Sequence, residues 1–121
     1  MARGAAKRYA QAVLDLAKER GTLDVWHEDL RQLSALMSDP AVVSYFANPR
    51  PSEEEKRAVL DQSLANGQPE AKNLARLLLE RERLTDLPTI FELFEEGVRA
   101  ERGIDDVGDL LVAEAARAEM P

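Results

Sequence analysis

The 121-residue sequence contains no cysteine. That removes disulfides, thiolate metal sites and cysteine nucleophiles together, and it fits a reducing compartment. Aromatic residues make up only 5% of the chain, and there is a single histidine, His27. A lone histidine makes no metal site without carboxylate help, so His27 reads as a partly exposed surface residue. The serines Ser34, Ser38, Ser44, Ser52 and Ser63 have no second histidine to activate them, and no G-x-S-x-G, GxGxxG or GxxxxGK[ST] pattern is present. No run of Lys or Arg forms a basic stripe. With a formal net charge of −7, the chain repels phosphate backbones, which argues against nucleic acid and anionic lipid as partners. Apolar runs fall short of the roughly 20 residues that span a bilayer, and MARGAAKRYA lacks the apolar core of a signal peptide. The expectation is a cytoplasmic protein with no direct membrane insertion.

What is present favours helix. Hydrophobic residues make up 45% and charged residues 32% of a chain rich in Ala, Leu, Glu and Arg, and the length suits one domain. Start and stop signals divide it into six helical segments. The first runs from about Ala5 to Arg20 and stops at Gly21. The second, from about Thr22 to Met37, carries Leu23, Trp26, Leu30, Leu33 and Met37 at spacings of three and four, which predicts one continuous buried seam. So short a connection makes the first two helices antiparallel neighbours.

In SDPAVVSYFANPRP, Ser38 or Asp39 caps a short third helix that ends at Asn48-Pro49. Ser52 and Glu55 form a capping box for a fourth helix that ends at Asn66-Gly67. A fifth occupies about Pro69 to Leu84, and a sixth runs from Leu87-Pro88 to about Arg102-Gly103, with Gly97 weakening its middle. The expected fold is all-α, a six-helix bundle over residues 1–103. Residues 104–121 are expected to form a linker or C-terminal helical tail, in which Ile104, Val107, Leu111, Ala115 and Ala118 recur at helical spacing.

Carboxylate clusters do not rescue an enzyme reading. Glu53, Glu54 and Glu55 sit in a first helical turn, where negative charge favours the helix dipole. Asp105, Asp106 and Asp109 lack the alternate spacing of a calcium loop. No catalytic, cofactor-binding or metal-binding residue is expected.

What remains is surface for a partner. In KRYAQAVLDLAKERG, the polar residues Lys7, Arg8, Gln11, Asp15, Lys18 and Glu19 gather in roughly a third of the helical circumference, so the apolar surface exceeds what one supporting layer needs. Ala6, Ala10, Val13 and Ala17 form a line of small side chains, with Tyr9, Leu16, Ala5 and Ala12 to one side. On the fifth helix Ala71, Leu74, Ala75, Leu78 and Leu79 make the core stripe. Leu77 and Leu84 form a second stripe flanked by Asn73, Glu80 and Arg81. Two readings are open: both surplus stripes are core, or they line a groove that receives an amphipathic helix. An unrelated helical interaction module or a homodimeric regulator fits the same surplus.

The ordered set Ala6-Lys7-Arg8-Tyr9-Ala10, Ala12-Val13-Leu14, Leu23-Asp24-Val25-Trp26, Tyr45-Phe46-Ala47-Asn48-Pro49, Ser52-Glu53-Glu54-Glu55-Lys56 and Asn73-Leu74-Ala75-Arg76-Leu77-Leu78-Leu79-Glu80 resembles the N-terminal domain of the delta subunit of bacterial F-type ATP synthase. That is the family of the oligomycin-sensitivity-conferring protein. The resemblance covers about Ala5 to Gly103. It implies a noncatalytic subunit of the peripheral stalk, on the cytoplasmic face of the membrane, supporting ATP synthesis coupled to proton transport. It further implies a groove between helices one and five that holds the N-terminal helix of an alpha subunit. The residues expected to line it are Ala6, Tyr9, Ala10, Val13, Ala17, Asn73, Leu77, Glu80, Arg81 and Leu84. Binding to the b subunits of the stalk is implied only where a C-terminal domain is present, and residues 104–121 lack the Val/Thr-rich strand that the family usually shows there.

Overall fold

The computed structural model describes residues 3–102. Six α-helices follow one another: α1 (Arg3–Arg20), α2 (Leu23–Leu36), α3 (Pro40–Ala47), α4 (Glu53–Ser63), α5 (Pro69–Glu80) and α6 (Leu87–Arg102), with a 3-10 turn at Leu84–Asp86 leading into α6. No strand occurs among the described residues. The all-α fold is as expected, and the tail from 104 to 121 lies outside the described residues.

The helix ends follow from local chemistry. Gly21 takes a φ of 66°, which lets the Thr22 amide donate back to the Ala17 carbonyl at 2.9 Å and close α1. Asp39 caps α3 by accepting from the Ala41 amide at 2.9 Å, with Pro40 in the first turn. The capping box of α4 is complete: the Glu55 amide donates to Ser52 Oγ at 3.0 Å, and the Ser52 amide donates to Glu55 Oε1 at 2.8 Å.

Two helices stop earlier than expected. The last helical residue of α4 is Ser63, because the chain turns over Leu64, where the Gly67 amide reaches the Leu64 carbonyl at 2.8 Å. The last of α5 is Glu80 rather than Leu84. Glu82 adopts a left-handed φ of 56°, and the Arg83 and Glu82 amides bond the Leu78 and Leu79 carbonyls at 2.8 and 3.1 Å. This is the Schellman arrangement with glutamate where glycine is usual. Leu84 therefore belongs to the 3-10 turn, and its expected helical stripe with Leu77 does not exist.

The core is built around α6, which packs along α1 and α2. Trp26, Leu30 and Leu33 of α2 meet Leu87, Ile90 and Phe94 of α6, all essentially without solvent contact. Gly97 is more than a weak point. A Cβ there would come closer to a Leu14 methyl than real Cβ atoms approach, so the glycine lets α1 lie tightly on α6. α5 joins from the other side, packed on α4 and α2. Its Arg76 reaches Asp61 of α4 through two hydrogen bonds, at 3.3 and 2.7 Å.

Candidate functional site

The two apolar faces of α1 have different fates. Ala6, Ala10, Val13 and Ala17, all at most 5% exposed, are taken up by the core. The small side chains admit close packing by the chain's own helices, of which α6 lies most extensively along α1. The expectation that this line faces another protein is thus corrected, since residues so covered have no surface left to offer. Leu84, 5% exposed, is core for the same reason.

The other face of α1 stays partly open. Tyr9 and Leu16 pack on the edge of the core yet are only half-buried, and Ala12 between them is exposed. With Arg20 they share one side of the helix, at i, i+7 and i+11. On α5, Glu70, Leu74, Leu77 and Arg81 share a side at i, i+4, i+7 and i+11, and all but the exposed Arg81 are half-buried. These two sides face each other. Arg20 Nη1 pairs with Glu70 Oε2 at 3.0 Å, and Arg81 Nη1 donates to Tyr9 Oη at 3.4 Å. The first contact joins the end of α1 to the start of α5 and the second joins the opposite ends, so the helices run antiparallel.

α5 is not among the helices on which α1 packs closely. Long polar side chains therefore bridge the pair near its two ends, and the floor between them is apolar: Tyr9 and Leu16 from one wall, Leu74 and Leu77 from the other. Of the residues expected to line a groove, Tyr9, Leu77 and Arg81 are brought together here. Asn73 is exposed on α5, and exposed Glu80 borders a different cleft, beside Leu79 and Glu82. Leu16 and Leu74 were not expected. Their wheel positions, beside Tyr9 and Leu77 respectively, were the available signal.

A buried carboxylate holds one wall in place. Asp29 of α2 is 4% exposed, and its Oδ2 accepts from the Gln68 amide at 3.2 Å. Gln68 is the residue before α5 and supplies no side-chain cap, so Asp29 serves as a cap donated from a neighbouring helix. Gly67 allows this approach, since a Cβ there would lie 3.2 Å from Asp29 Oδ1.

His27 is half-buried, as its reading allowed. Its Nε2 lies 2.9 Å from Glu95 Oε2 and its ring centroid 5.2 Å from that of Phe91, which makes it a clip between α2 and α6. Among the described residues no group of three or more His, Cys, Asp or Glu side chains is placed to hold a metal ion. No described helix is long and apolar enough to cross a membrane.

Residues 5–113 match the family described as ATP synthase delta (OSCP) subunit. The chain is 39% identical over 92 residues to ATP synthase subunit delta of Hydrogenovibrio crunogenus, covering 75% of this chain and 52% of that one. It is 38% identical over 119 residues to the subunit delta of Laribacter hongkongensis, covering 95% and 67%. Against the chloroplastic ATP synthase delta chain of Spinacia oleracea the identity is 36% over 93 residues, 75% of this chain and 36% of that one. The chain spans about half the length of the first two curated relatives it matches, 52% and 56%.

Proposed function

This chain belongs to the ATP synthase delta (OSCP) subunit family, and from that premise we propose that it is a noncatalytic stator component of an F-type ATP synthase. It sits at the cytoplasmic face of the membrane without entering it. It holds the catalytic head against the torque of the rotor, so that rotation drives conformational change in the head instead of spinning it. Its partner is the N-terminal segment of an alpha subunit, bound as an amphipathic helix between α1 and α5. Any contact with b subunits belongs to chain beyond the six helices.

One observation carries this reading: the half-buried strip of Tyr9, Leu16, Leu74 and Leu77 between two helices that do not pack closely and are bridged by Arg20–Glu70 and Arg81–Tyr9. A helix laid on that strip covers apolar surface worth roughly 25 cal/mol per Å². A stator joint must outlast many rotor steps, which requires slow dissociation, and apolar burial supplies that better than exposed ion pairs. The rival reading, a homodimeric helical regulator, draws on the small-residue line of α1, which is already buried in the chain's own core.

Calorimetric titration with a peptide comprising the alpha-subunit N-terminus tests the proposal. Saturable one-to-one binding is expected. Absence of heat at two well-separated temperatures, with helical content and cooperative unfolding intact, overturns it.

A further inference from the structure

Away from α1, a cleft of about 500 Å³ opens between α3, the first turns of α4 and the C-terminal end of α5. Its floor is apolar: Met37, Val43, Phe46, Leu79 and Leu84. α3 brings only half-covered side chains to it, since none of that helix's residues is fully buried.

The rim is charged in a way that local stability does not explain. Glu80 and Glu82 lie at the C-terminal end of α5, where free carbonyls make a negative side chain unfavourable. Glu82 also holds a left-handed φ of 56°, a conformation that costs a side-chain-bearing residue and not a glycine. The adjacent arginines turn elsewhere, Arg81 to Tyr9 Oη at 3.4 Å and Arg83 to Asp86 Oδ2 at 3.5 Å. A third carboxylate, Glu53, has Arg57 no nearer than 3.9 Å. Among the described residues lining the cleft the one cation is Lys56, which donates to the Phe46 carbonyl at 2.9 Å.

We infer that this cleft is a second protein-docking surface, separate from the α1–α5 groove. It takes a segment of a partner protein that inserts an aliphatic or aromatic side chain and sets lysine or arginine against Glu80 and Glu82. A neutral or acidic segment would cover these carboxylates without compensation, which burial penalises. A cationic one turns two locally unfavourable charges into charge-assisted hydrogen bonds.

The test uses the ¹⁵N-labelled chain and two amidated helical peptides of about three turns, one of leucine and lysine and the other of leucine and glutamate. Binding of the leucine–lysine peptide is expected to shift the amides of Val43, Phe46, Glu82 and Thr85, and the leucine–glutamate peptide to shift none. The double variant E80Q/E82Q is expected to weaken binding by about five-fold or more. E19Q/E96Q, which removes the same charge at exposed sites on α1 and α6, should leave it unchanged. Equal weakening in both variants would reduce the effect to attraction by the net charge and overturn the assignment, as would shifts confined to Tyr9, Leu16 and Leu77 or no shifts at all. Sedimentation that shows self-association abolished by E80Q/E82Q would give the cleft to a second copy, and the inference would fail.

Discussion

α3 and α6 invert what composition alone predicts. PAVVSYFA is the most apolar of the helices and buries none of its residues fully, whereas α6, rich in glutamate and arginine, buries Leu87, Ile90 and Phe94 completely. Spacing makes the difference. The three α6 residues recur at three and four and fall in one narrow stripe that α1 and α2 can cover. Val42, Val43, Tyr45 and Phe46 spread over nearly half the circumference of a two-turn helix at the edge of the bundle, too wide a face for its few neighbours. Apolar content measures how much surface needs covering; periodicity decides whether the fold itself can cover it.

The largest effect should come from cutting the covered side. Phe94→Ala is expected to cost about 3–5 kcal/mol in urea unfolding, through lost burial and the cavity left behind. Phe46→Ala removes the same ring from a half-open site and should cost less than half as much. Equal losses would break the contrast between the two helices. Next comes the link between the tightly packed α2 and the more open α5. Asp29→Ala should cost about 1–3 kcal/mol, because the Gln68 amide loses its partner in a part-buried site. Hydrogen exchange should rise first at the start of α5.

The α1–α5 groove divides folding from binding in the same way. Leu77→Asp should weaken the alpha-subunit peptide by more than about ten-fold, near 1.4 kcal/mol, while unfolding shifts little, since Leu77 is half-exposed already. Unfolding of the variant at neutral pH would assign Leu77 to the core. Smaller still is Glu82→Gly. Relief of the left-handed strain, less the entropy that glycine adds to the unfolded chain, should stabilise by roughly 0.5–1 kcal/mol.

Much of this was legible in the residues. Caps and breakers such as Gly21, Asp39-Pro40 and the Ser52–Glu55 box act within a few residues, so they located the helices well. The end of α5 is not legible in the residues, because its stop is a glutamate in a glycine's conformation. At the site, the wheel shows apolar residues around most of α1 but not which of them the fold buries. That choice depends on Gly97, which reads as a weak point of α6 and in the fold admits Leu14, bringing α6 onto the small residues. Asp29 was silent too, because a capping residue supplied from another helix has no sequence spacing to the helix it caps.

The gentlest probe of the contrast lies on α2, whose buried side meets α6 while exposed Glu28 and Arg31 on its outer side form a local ion pair. There Glu28 accepts from Arg31 Nε at 3.0 Å, Arg31 Nη2 at 2.6 Å and Gln32 Nε2 at 2.9 Å. The hydrogen bonds from Arg31, then from Gln32, lower its pKa from 4.5 to about 2. A carboxylate whose pKa is depressed in the folded state contributes stability above its unfolded value, and that contribution is lost as pH falls from about 4.5 through about 2. Because the group is fully in water, screening leaves only a small part of it as folding energy. Carbon-detected NMR should therefore show Glu28 titrating well below the ordinary glutamate value of 4.5. Glu28→Gln should remove part of the acid sensitivity while changing neutral-pH stability less than any substitution above. Were Glu28→Gln to match Asp29→Ala, the outer side of α2 would support the bundle as much as its buried side, and the division between covered and open surfaces would fail at its weakest point.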